Sequence, residues 1–216
     1  MGESAITIGT PVGPARAVPS TAPDPIATVV LGHGAGGGIQ TPDLVALARE
    51  LPRRNISVVL VEQPWRVAGR KVSAPPATLD RAWLAVLEEL EIGTPLVMGG
   101  RSAGARVACR TALTSDAHGV VALAFPLHPP GRPQQSRVAE LTGAGVPVLV
   151  VQGTRDLFGG PAEFPWRTEL RPVDGADHGF KVLKSSGISQ SAMLAAVAAD
   201  VAGWVQRVVA AGSGDR

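Results

Sequence analysis

The sequence predicts an α/β fold in which a doubly wound, mostly parallel β-sheet carries helices on both faces. Short, wholly apolar runs recur along the chain, as expected for strands that are covered on both faces. Segments with helical periodicity alternate with these runs, which favours parallel strands joined by crossover helices. The reactive site of such a sheet lies beyond the carboxyl ends of its strands. The glycine-rich and polar loops that follow the strands are therefore where chemistry is expected.

The strands are assigned from apolar runs that Gly, Pro and polar residues bound. Two weakly alternating segments near the N-terminus flank a Gly-Pro turn and are expected to form an antiparallel pair. The later runs are apolar throughout and are expected to lie inside the parallel part of the sheet. The predicted strands are residues 5–8, 15–18, 26–31, 56–61, 95–98, 119–125, 146–151 and 168–172.

The helices are assigned from apolar spacing and from their end signals. Thr41 and Pro42 fit the N-cap and the first position of a helix, and Pro52 ends it. Thr78 is predicted to cap an amphipathic helix, whose apolar residues share one face. The predicted helices are residues 42–51, 79–90, an alanine-rich segment from 103, residues 135–141, and a final helix containing residues 193–208.

Length and composition exclude several classes of protein. We expect one domain over residues 1–216, because this length is ample for one domain and tight for two. A net charge of +2 leaves no broad basic face for nucleic acid. The single cysteine, Cys109, excludes an internal disulfide and a Cys-based zinc site, and we expect neither a metal nor a cofactor.

We expect a cytoplasmic protein that does not insert into a membrane. No apolar run approaches the roughly 18 residues that a membrane span needs. Residues 1–4 lack the basic start that introduces a signal peptide.

Cys109 is expected to be a small buried hydrophobic residue on the helix that follows residue 102.

The pattern Gly100-x-Ser102-x-Gly104 joins a predicted strand to a predicted helix, as in a nucleophile elbow. A strand that turns sharply into a helix forces the central serine into a strained backbone conformation. The two flanking glycines are then required because a Cβ at either position would clash. The serine hydroxyl is expected to lie above the sheet, at the N-terminus of the helix.

A serine nucleophile needs a base and an acid that orients the base. His178 follows the last predicted strand, where a loop can bring its ring over Ser102. Asp156 follows the strand at residues 146–151 and is the first choice of acid, with Asp174 and Asp177 as alternatives. His33 is expected to hold a turn through ring hydrogen bonds to neighbouring backbone.

The loop at residues 32–38 is rich in glycine and is expected to supply part of an oxyanion hole. One backbone N–H would come from Ala103 and the other from Ala35, with Gly36 as the second choice. A glycine-rich loop between a strand and a helix can also hold phosphate. This loop lacks the Gly-Lys-Ser/Thr ending of a P-loop and the setting of a dinucleotide-binding fingerprint.

The residues that contact the substrate are predicted from their positions after strands. Trp65, Arg66 and Arg70 lie in a long loop that extends to about residue 77, and Arg101 is next to the nucleophile. If these cations point inward, the substrate is a small acyl compound with a carboxylate or phosphate; otherwise they are solvated surface charges. His128 also follows a strand and could line the pocket.

Four aromatic residues in the last third of the chain fit either an apolar wall of the site or the core. They are Phe158, Phe164, Trp166 and Phe180.

Together these motifs resemble those of α/β-hydrolases, over about residues 26–209. The similar stretches are the glycine loop at 33–36, the elbow at 100–104, the acid loop at 153–156 and the histidine loop at 177–179. The chain is most similar to small dienelactone-hydrolase-like proteins. It resembles in particular the predicted hydrolases grouped with testis-expressed protein 30, through residues 66–70 and 126–130.

The resemblance implies an α/β-hydrolase fold and hydrolysis of an ester, thioester or amide, with two departures. Ser102 stands where dienelactone hydrolases proper have a cysteine, and no cap domain interrupts residues 125–146. We therefore expect a lid-less serine hydrolase that cleaves a small ester or thioester through an acyl-enzyme. Two alternatives stay open: a catalytically silent binding or scaffold protein with this fold, and a peptidase acting on aminoacyl amides.

Overall fold

An eight-stranded β-sheet forms the centre of the protein in the computed structural model, which describes residues 4–183 and 187–212. The strands are β1 (Ile6–Ile8), β2 (Ala15–Ser20), β3 (Ala27–Gly32), β4 (Ile56–Glu62), β5 (Leu96–Arg101), β6 (Gly119–Leu123), β7 (Val148–Gly153) and β8 (Glu169–Val173). They lie in the order β1-β2-β4-β3-β5-β6-β7-β8. β2 is antiparallel to β1 and β4, and all other neighbours are parallel. The predicted fold class and the N-terminal antiparallel pair are confirmed.

Helices cover both faces of this sheet. They are α1 (Pro42–Glu50), α2 (Pro64–Val67), α3 (Pro76–Glu89), α4 (Ala103–Thr111), α5 (Val138–Thr142) and α6 (Gln190–Gly212). α1 and α6 share one apolar core with the sheet, while α3, α4 and α5 share the other. Neighbouring strand residues alternate between them: Val29 belongs to the first core and Val30 to the second. This alternation explains why the strand sequences are apolar throughout.

Some predicted boundaries are wrong for physical reasons, and one short helix was not predicted. β5 continues to Arg101, because the backbones of Gly99 and Gly100 pair with β3 although they bring no side chain to the sheet. α3 begins at Pro76 rather than after Thr78, since proline suits the first turn of a helix. α2, which begins at Pro64, is a single short turn that apolar periodicity does not reveal.

α6 is the longest helix and packs along one face of the sheet. Its length and mean hydropathy of 1.4 would suit a membrane-spanning helix, a property that the search for uninterrupted apolar runs missed. Half of that stretch is buried inside the protein, as is typical of the core helix of a globular domain. Residues 1–3, part of the stretch examined for a signal peptide, lie outside the described residues.

The end of β3 and the start of α4 meet backbone to backbone. A Cβ on Gly104 would lie 2.5 Å from the carbonyl carbon and oxygen of Gly32. Gly100 has a φ of 153°, and a Cβ there would collide with the Gly32 carbonyl oxygen. Both elbow glycines are therefore required by close approach, which is the physical reason that the sequence pattern indicated.

We expect Gly104→Ala to lower the free energy of unfolding by about 1–3 kcal/mol, the usual cost of forcing an extra methyl group into a packed site. Urea denaturation measures the loss. Gly203→Ala is the matched control, because Gly203 lies within α6 and the nearest atom to an added Cβ would be 3.9 Å away. That substitution should be neutral or stabilising, by up to about 1 kcal/mol. An unchanged denaturation midpoint for Gly104→Ala would contradict the proposed steric constraint.

Candidate active site

The backbone at Ser102 is strained and directs the residue out of the sheet. Ser102 has φ 53° and ψ −109°, between the end of β5 and the first residue of α4. Such a conformation costs of the order of 1–3 kcal/mol and persists only where the surroundings enforce it. The N–H of Ser102 donates a 2.9 Å hydrogen bond to the Leu123 carbonyl, which anchors the turn to the neighbouring strand β6.

Three side chains from distant parts of the chain form one line of hydrogen bonds. His178 Nδ1 lies 2.8 Å from Asp156 Oδ2, and His178 Nε2 lies 3.1 Å from Ser102 Oγ. An ionised carboxylate only accepts hydrogen bonds, so Nδ1 carries the ring proton and Nε2 accepts the bond from the serine hydroxyl. The predicted residues Ser102, His178 and Asp156 thus lie together in the order that base-assisted attack by serine requires.

The Asp156 carboxylate is buried and accepts two further hydrogen bonds from nearby residues of the chain. The Phe158 N–H donates to Oδ1 at 2.8 Å, and the Gln152 amide donates to Oδ2 at 2.9 Å. Gln152 is fully buried at the end of β7, and it also donates to the Gly159 carbonyl at 2.7 Å. Sequence reasoning missed this residue. Its signal was an amide side chain directly after the apolar run of β7, one residue before the acid loop.

The two alternative acids shape loops instead of facing the imidazole. Asp177 Oδ1 accepts hydrogen bonds from the N–H groups of Gly179 and Lys181, at 2.8 and 2.9 Å. Asp174 accepts from the Thr154 hydroxyl at 3.3 Å. Asp177 therefore sets the turn that carries His178, and the geometry favours Asp156 as its carboxylate partner.

His33 holds the glycine loop beside Ser102. Its Nε2 accepts the Gln63 N–H at 3.1 Å, so the proton lies on Nδ1, which donates to the Gly34 carbonyl at 2.8 Å. Burial lowers the pKa of His33 and so favours this neutral form. A Cβ on Gly34 would lie 3.3 Å from the Cβ of Ser102, so the loop lies directly against the nucleophile.

The proposed oxyanion donors directly follow the two residues that make this contact, Gly34 and Ser102. Ala35 and Gly36 follow Gly34 and are exposed. Ala103 is the first residue of α4, where N–H groups have no partner within the helix. An exposed glycine loop and a helix N-terminus thus flank Ser102, as an oxyanion hole requires.

A groove of about 1120 Å³ opens beside His178. The Phe158 ring forms part of its wall and stacks on the His178 imidazole, with ring centroids 4.2 Å apart. Ser102 is partly exposed next to it. The groove is lined by Pro42, Pro130, Thr154, Arg155, Asp156, Leu157, Phe158, Gly160, Glu163, Asp177, His178, Gly179, Lys181 and Gln190.

The predicted substrate contacts lie elsewhere. Within the described part of the chain, none of the five predicted residues lines this groove. Trp65 is only 5% exposed and packs against the His33 ring, with ring centroids 5.5 Å apart. Because His33 holds the glycine loop, Trp65 supports that loop from the protein interior. Arg66 and Arg70 are exposed on the segment that follows. A substrate contact for Arg66 and Arg70 stays a prediction.

Arg101 and His128 are engaged by the protein itself. The Arg101 guanidinium lies 3.2 Å from a carboxylate oxygen of Asp43 and donates to the His178 carbonyl. His128 Nε2 lies 2.9 Å from Glu163 Oε2, and its Nδ1 lies 2.9 Å from the Pro129 carbonyl. The protein's own groups thus engage Arg101 Nη2 and both ring nitrogens of His128.

The aromatic residues divide between the site and the core. Phe164 and Phe180 are buried in the core, whereas Trp166 is 85% exposed and lies under the Arg167 guanidinium.

Burial raises the pKa of the Cys109 thiol to about 12, which makes it inert as a nucleophile. Across residues 4–183 and 187–212, no group of three or more His, Cys, Asp or Glu side chains is arranged to hold a metal ion.

The chain belongs to the α/β-hydrolase family, since the sequence profile of the α/β-hydrolase domain matches residues 25–206. No curated protein matches the sequence. The segment between β6 and β7 holds one short helix, α5, and shows no cap domain among the described residues. The expected family and the lid-less form of its fold are confirmed.

Solved structures with the same fold include several hydrolases. A lid-less α/β serine hydrolase from Xanthomonas campestris is 22% identical, with a TM-score of 0.67 over 95% of this chain and 93% of that one. A dienelactone hydrolase from Anabaena variabilis is 17% identical, with a TM-score of 0.71 over 95% and 98%. Est1E from Butyrivibrio proteoclasticus is 15% identical, with a TM-score of 0.74 over 96% and 100%. At these identities the likeness establishes the fold.

The His128–Glu163 pair should make stability depend on pH. Hydrogen bonds to the Pro129 carbonyl and to Glu163 raise the pKa of His128 above its ordinary value of 6.5. The Gly160 N–H and His128 lower the pKa of Glu163. The stabilisation is therefore present near pH 6, where both groups are charged, and is lost as pH rises through the raised His128 pKa.

We expect Glu163→Gln to destabilise the protein at about pH 6 by at most about 1 kcal/mol, because solvent screens a half-exposed carboxylate. The difference from wild type should shrink as pH is raised, because a neutral His128 can accept a hydrogen bond from the glutamine amide. Denaturation curves of both proteins across pH measure this. A difference that stays constant with pH would show that the pair is not a charged one.

Proposed function

We propose that this chain is a serine hydrolase that cleaves a small ester or thioester through an acyl-enzyme. The observation that carries the proposal is the unbroken line of hydrogen bonds from Ser102 through His178 to Asp156. The strained turn at Ser102 gives it a second, independent support, because such strain is retained where the backbone must present a reactive side chain. Membership of the α/β-hydrolase family is consistent with both.

The proposed reaction follows from where the protons lie. Ser102 Oγ attacks the acyl carbon while its proton passes to His178 Nε2, and Asp156 stabilises the imidazolium that forms. The tetrahedral intermediate collapses as Nε2 returns that proton to the leaving oxygen or sulfur, which leaves the acyl group on Oγ. Water then attacks this ester, and His178 takes and returns a proton in the same way. The products are the carboxylic acid and the free Ser102 hydroxyl.

The backbone on each side of Ser102 would stabilise the oxyanion. The N–H groups of Ala103 and Ala35, with Gly36 as the second choice for the latter, would point at the carbonyl oxygen of the intermediate. Each such donor is worth about 2.7–4 kcal/mol of barrier. His33 and Trp65 would contribute indirectly, by fixing the loop that carries Ala35.

We propose an anionic acyl substrate, held by cations of the groove rather than by those of the long loop. Arg155 and Lys181 both line it. The neighbouring carboxylates of Asp177 and Glu163 accept hydrogen bonds from backbone N–H groups of their own loops. Phe158 and Leu157 would contact the apolar part of the acyl chain.

We expect Ser102→Ala to lower turnover of a p-nitrophenyl ester by about 10⁴-fold or more, with unchanged thermal stability. A fluorophosphonate probe should label the wild-type protein at Ser102 alone, since labelling requires an activated hydroxyl. Ser136→Ala, a change at an exposed serine in the loop before α5, is the control and should keep full activity and labelling.

Two results would count against this function. Full activity of Ser102→Ala would remove the nucleophile that the mechanism needs. A folded wild-type protein that no fluorophosphonate labels would instead support a silent binding or scaffold protein. Preferential cleavage of aminoacyl amides over esters would keep the nucleophile and change the reaction to that of a peptidase.

We expect Lys181→Met to raise KM for a p-nitrophenyl ester with a terminal carboxylate, by about 10-fold, and to leave KM for the uncharged butyrate ester unchanged. Lys71→Met is the matched control, because Lys71 is exposed on the long loop outside the groove. Steady-state kinetics of both variants on both esters measure the effect. Equal effects of the two substitutions, or a loss on both esters, would contradict an anion site in the groove.

A further inference from the structure

We propose that Arg101, held in place by Asp43, is a positioning residue that fixes the loop of His178 over the nucleophile. The inference rests on the proposed function, and it adds a residue outside the hydrogen-bonded triad. Arg101 was expected to bind a substrate anion. Its contacts point inward instead, to the chain segment that carries the proposed base.

The Arg101 side chain joins three separate segments of the molecule. Its Nη2 donates a 2.8 Å hydrogen bond to the carbonyl of His178, and its Nε lies 3.2 Å from Asp43 Oδ2 at the start of α1. A Cβ on Gly34 would lie 3.5 Å from Arg101 Nη1, so the guanidinium also lies against the glycine loop. One side chain thus contacts the loops of the base and of the proposed oxyanion donor.

Burial makes this arrangement rigid. The side chain of Arg101 is 13% exposed and that of Asp43 only 2% exposed. Neither Asp43 oxygen accepts a hydrogen bond from the described residues, so the Arg101 guanidinium is the charge that balances it. Breaking a buried pair by removing one partner leaves an uncompensated charge, which is strongly unfavourable. The guanidinium is therefore held where it can bind the His178 carbonyl.

The segment that carries His178 is tied to the core at both ends, by the Arg155 N–H on the Ala176 carbonyl at 2.9 Å and by the Gln190 amide on the Phe180 carbonyl at 2.6 Å, and Arg101 binds it at His178 itself. His178 lies beyond the end of β8, on residues 174–183, which form neither helix nor strand. The turn set by Asp177 shapes this segment, and the bond from Arg101 links the backbone of His178 directly to the residue before Ser102. Since Arg101 directly precedes Ser102, one short stretch of backbone places both the nucleophile and the carbonyl anchor of its base.

The planar guanidinium suits this task better than an ammonium group. Its Nη2 donates to the His178 carbonyl, while the delocalised charge, with Nε 3.2 Å from Asp43 Oδ2 but not hydrogen-bonded to it, balances the buried carboxylate. A lysine at this position could reach one partner at a time. Arg101→Lys should therefore retain only part of the activity, between that of wild type and that of Arg101→Met.

The test compares Arg101→Met with Arg110→Met. Arg110 lies on α4, its side chain is 19% exposed, and it pairs with Asp80 and Glu140 away from the site. Both variants lose a largely buried ion pair and are expected to lose similar stability. Only Arg101→Met should lower kcat, by about 10²-fold with little change in KM, since small displacements of a catalytic group cost that much. The rate of fluorophosphonate attachment to Ser102 should fall in parallel.

Two further readouts separate positioning from a merely structural role. Added guanidinium at non-denaturing concentration should restore several-fold of the lost activity to Arg101→Ala and none to Arg110→Ala. The downfield NMR signal of the His178 Nδ1 proton, identified by its loss in His178→Gln, should disappear in Arg101→Met and persist in Arg110→Met. This signal reports the bond to Asp156 whether or not the chain hydrolyses any ester.

Several results would overturn the inference. One is a kcat of Arg101→Met within about 3-fold of wild type, and another is an equal loss in Arg110→Met. Persistence of the Nδ1 proton signal in Arg101→Met would do the same, even in a chain without activity. Absence of turnover and labelling in the wild-type protein would count against the proposed function instead, and the NMR comparison would still decide the role of Arg101.

Discussion

The contact between the backbones of β3 and α4 is the constraint on which the rest of the site depends. Gly100 and Gly104 leave no room for a Cβ, and a Cβ on Gly32 would lie 3.3 Å from Gly104 Cα, so the strand, the elbow and the helix approach main chain to main chain. That approach leaves Ser102 in its strained conformation and places the glycine loop beside it. The cost of the strain is met by the apolar cores on both faces of the sheet, which hold β3, β5 and α4 together.

Hydrogen bonds and ring packing from the protein interior hold the polar groups that surround this backbone contact. Gln152 and the Phe158 N–H orient Asp156, while His33 and Trp65 hold the glycine loop. Gln152, His33 and Trp65 are buried, so they support the groups that would touch a substrate from the interior. The arrangement leaves Ser102 partly exposed beside His178, which lines the groove, and the described residues show no cap domain.

Much of this could be predicted from the sequence, because it depends on local patterns. The apolar runs defined the strands, and the spacing of Gly100, Ser102 and Gly104 defined the elbow. What could not be predicted depends on distances between segments far apart in the chain. The sequence showed Arg101 and His128 as charged or titratable residues after strands, but their partners, Asp43 and Glu163, come from other elements. Trp65 likewise looked like a binding residue until its packing on His33 was visible.

The structure of the protein after reaction with a fluorophosphonate tests the central claim most directly, namely that Ser102 is presented to a substrate between two backbone donors. We expect phosphorus bonded to Ser102 Oγ, with the phosphonyl oxygen about 3 Å from the N–H groups of Ala103 and Ala35 or Gly36. An adduct on another residue, or a phosphonyl oxygen that points into solvent away from both N–H groups, would contradict the account.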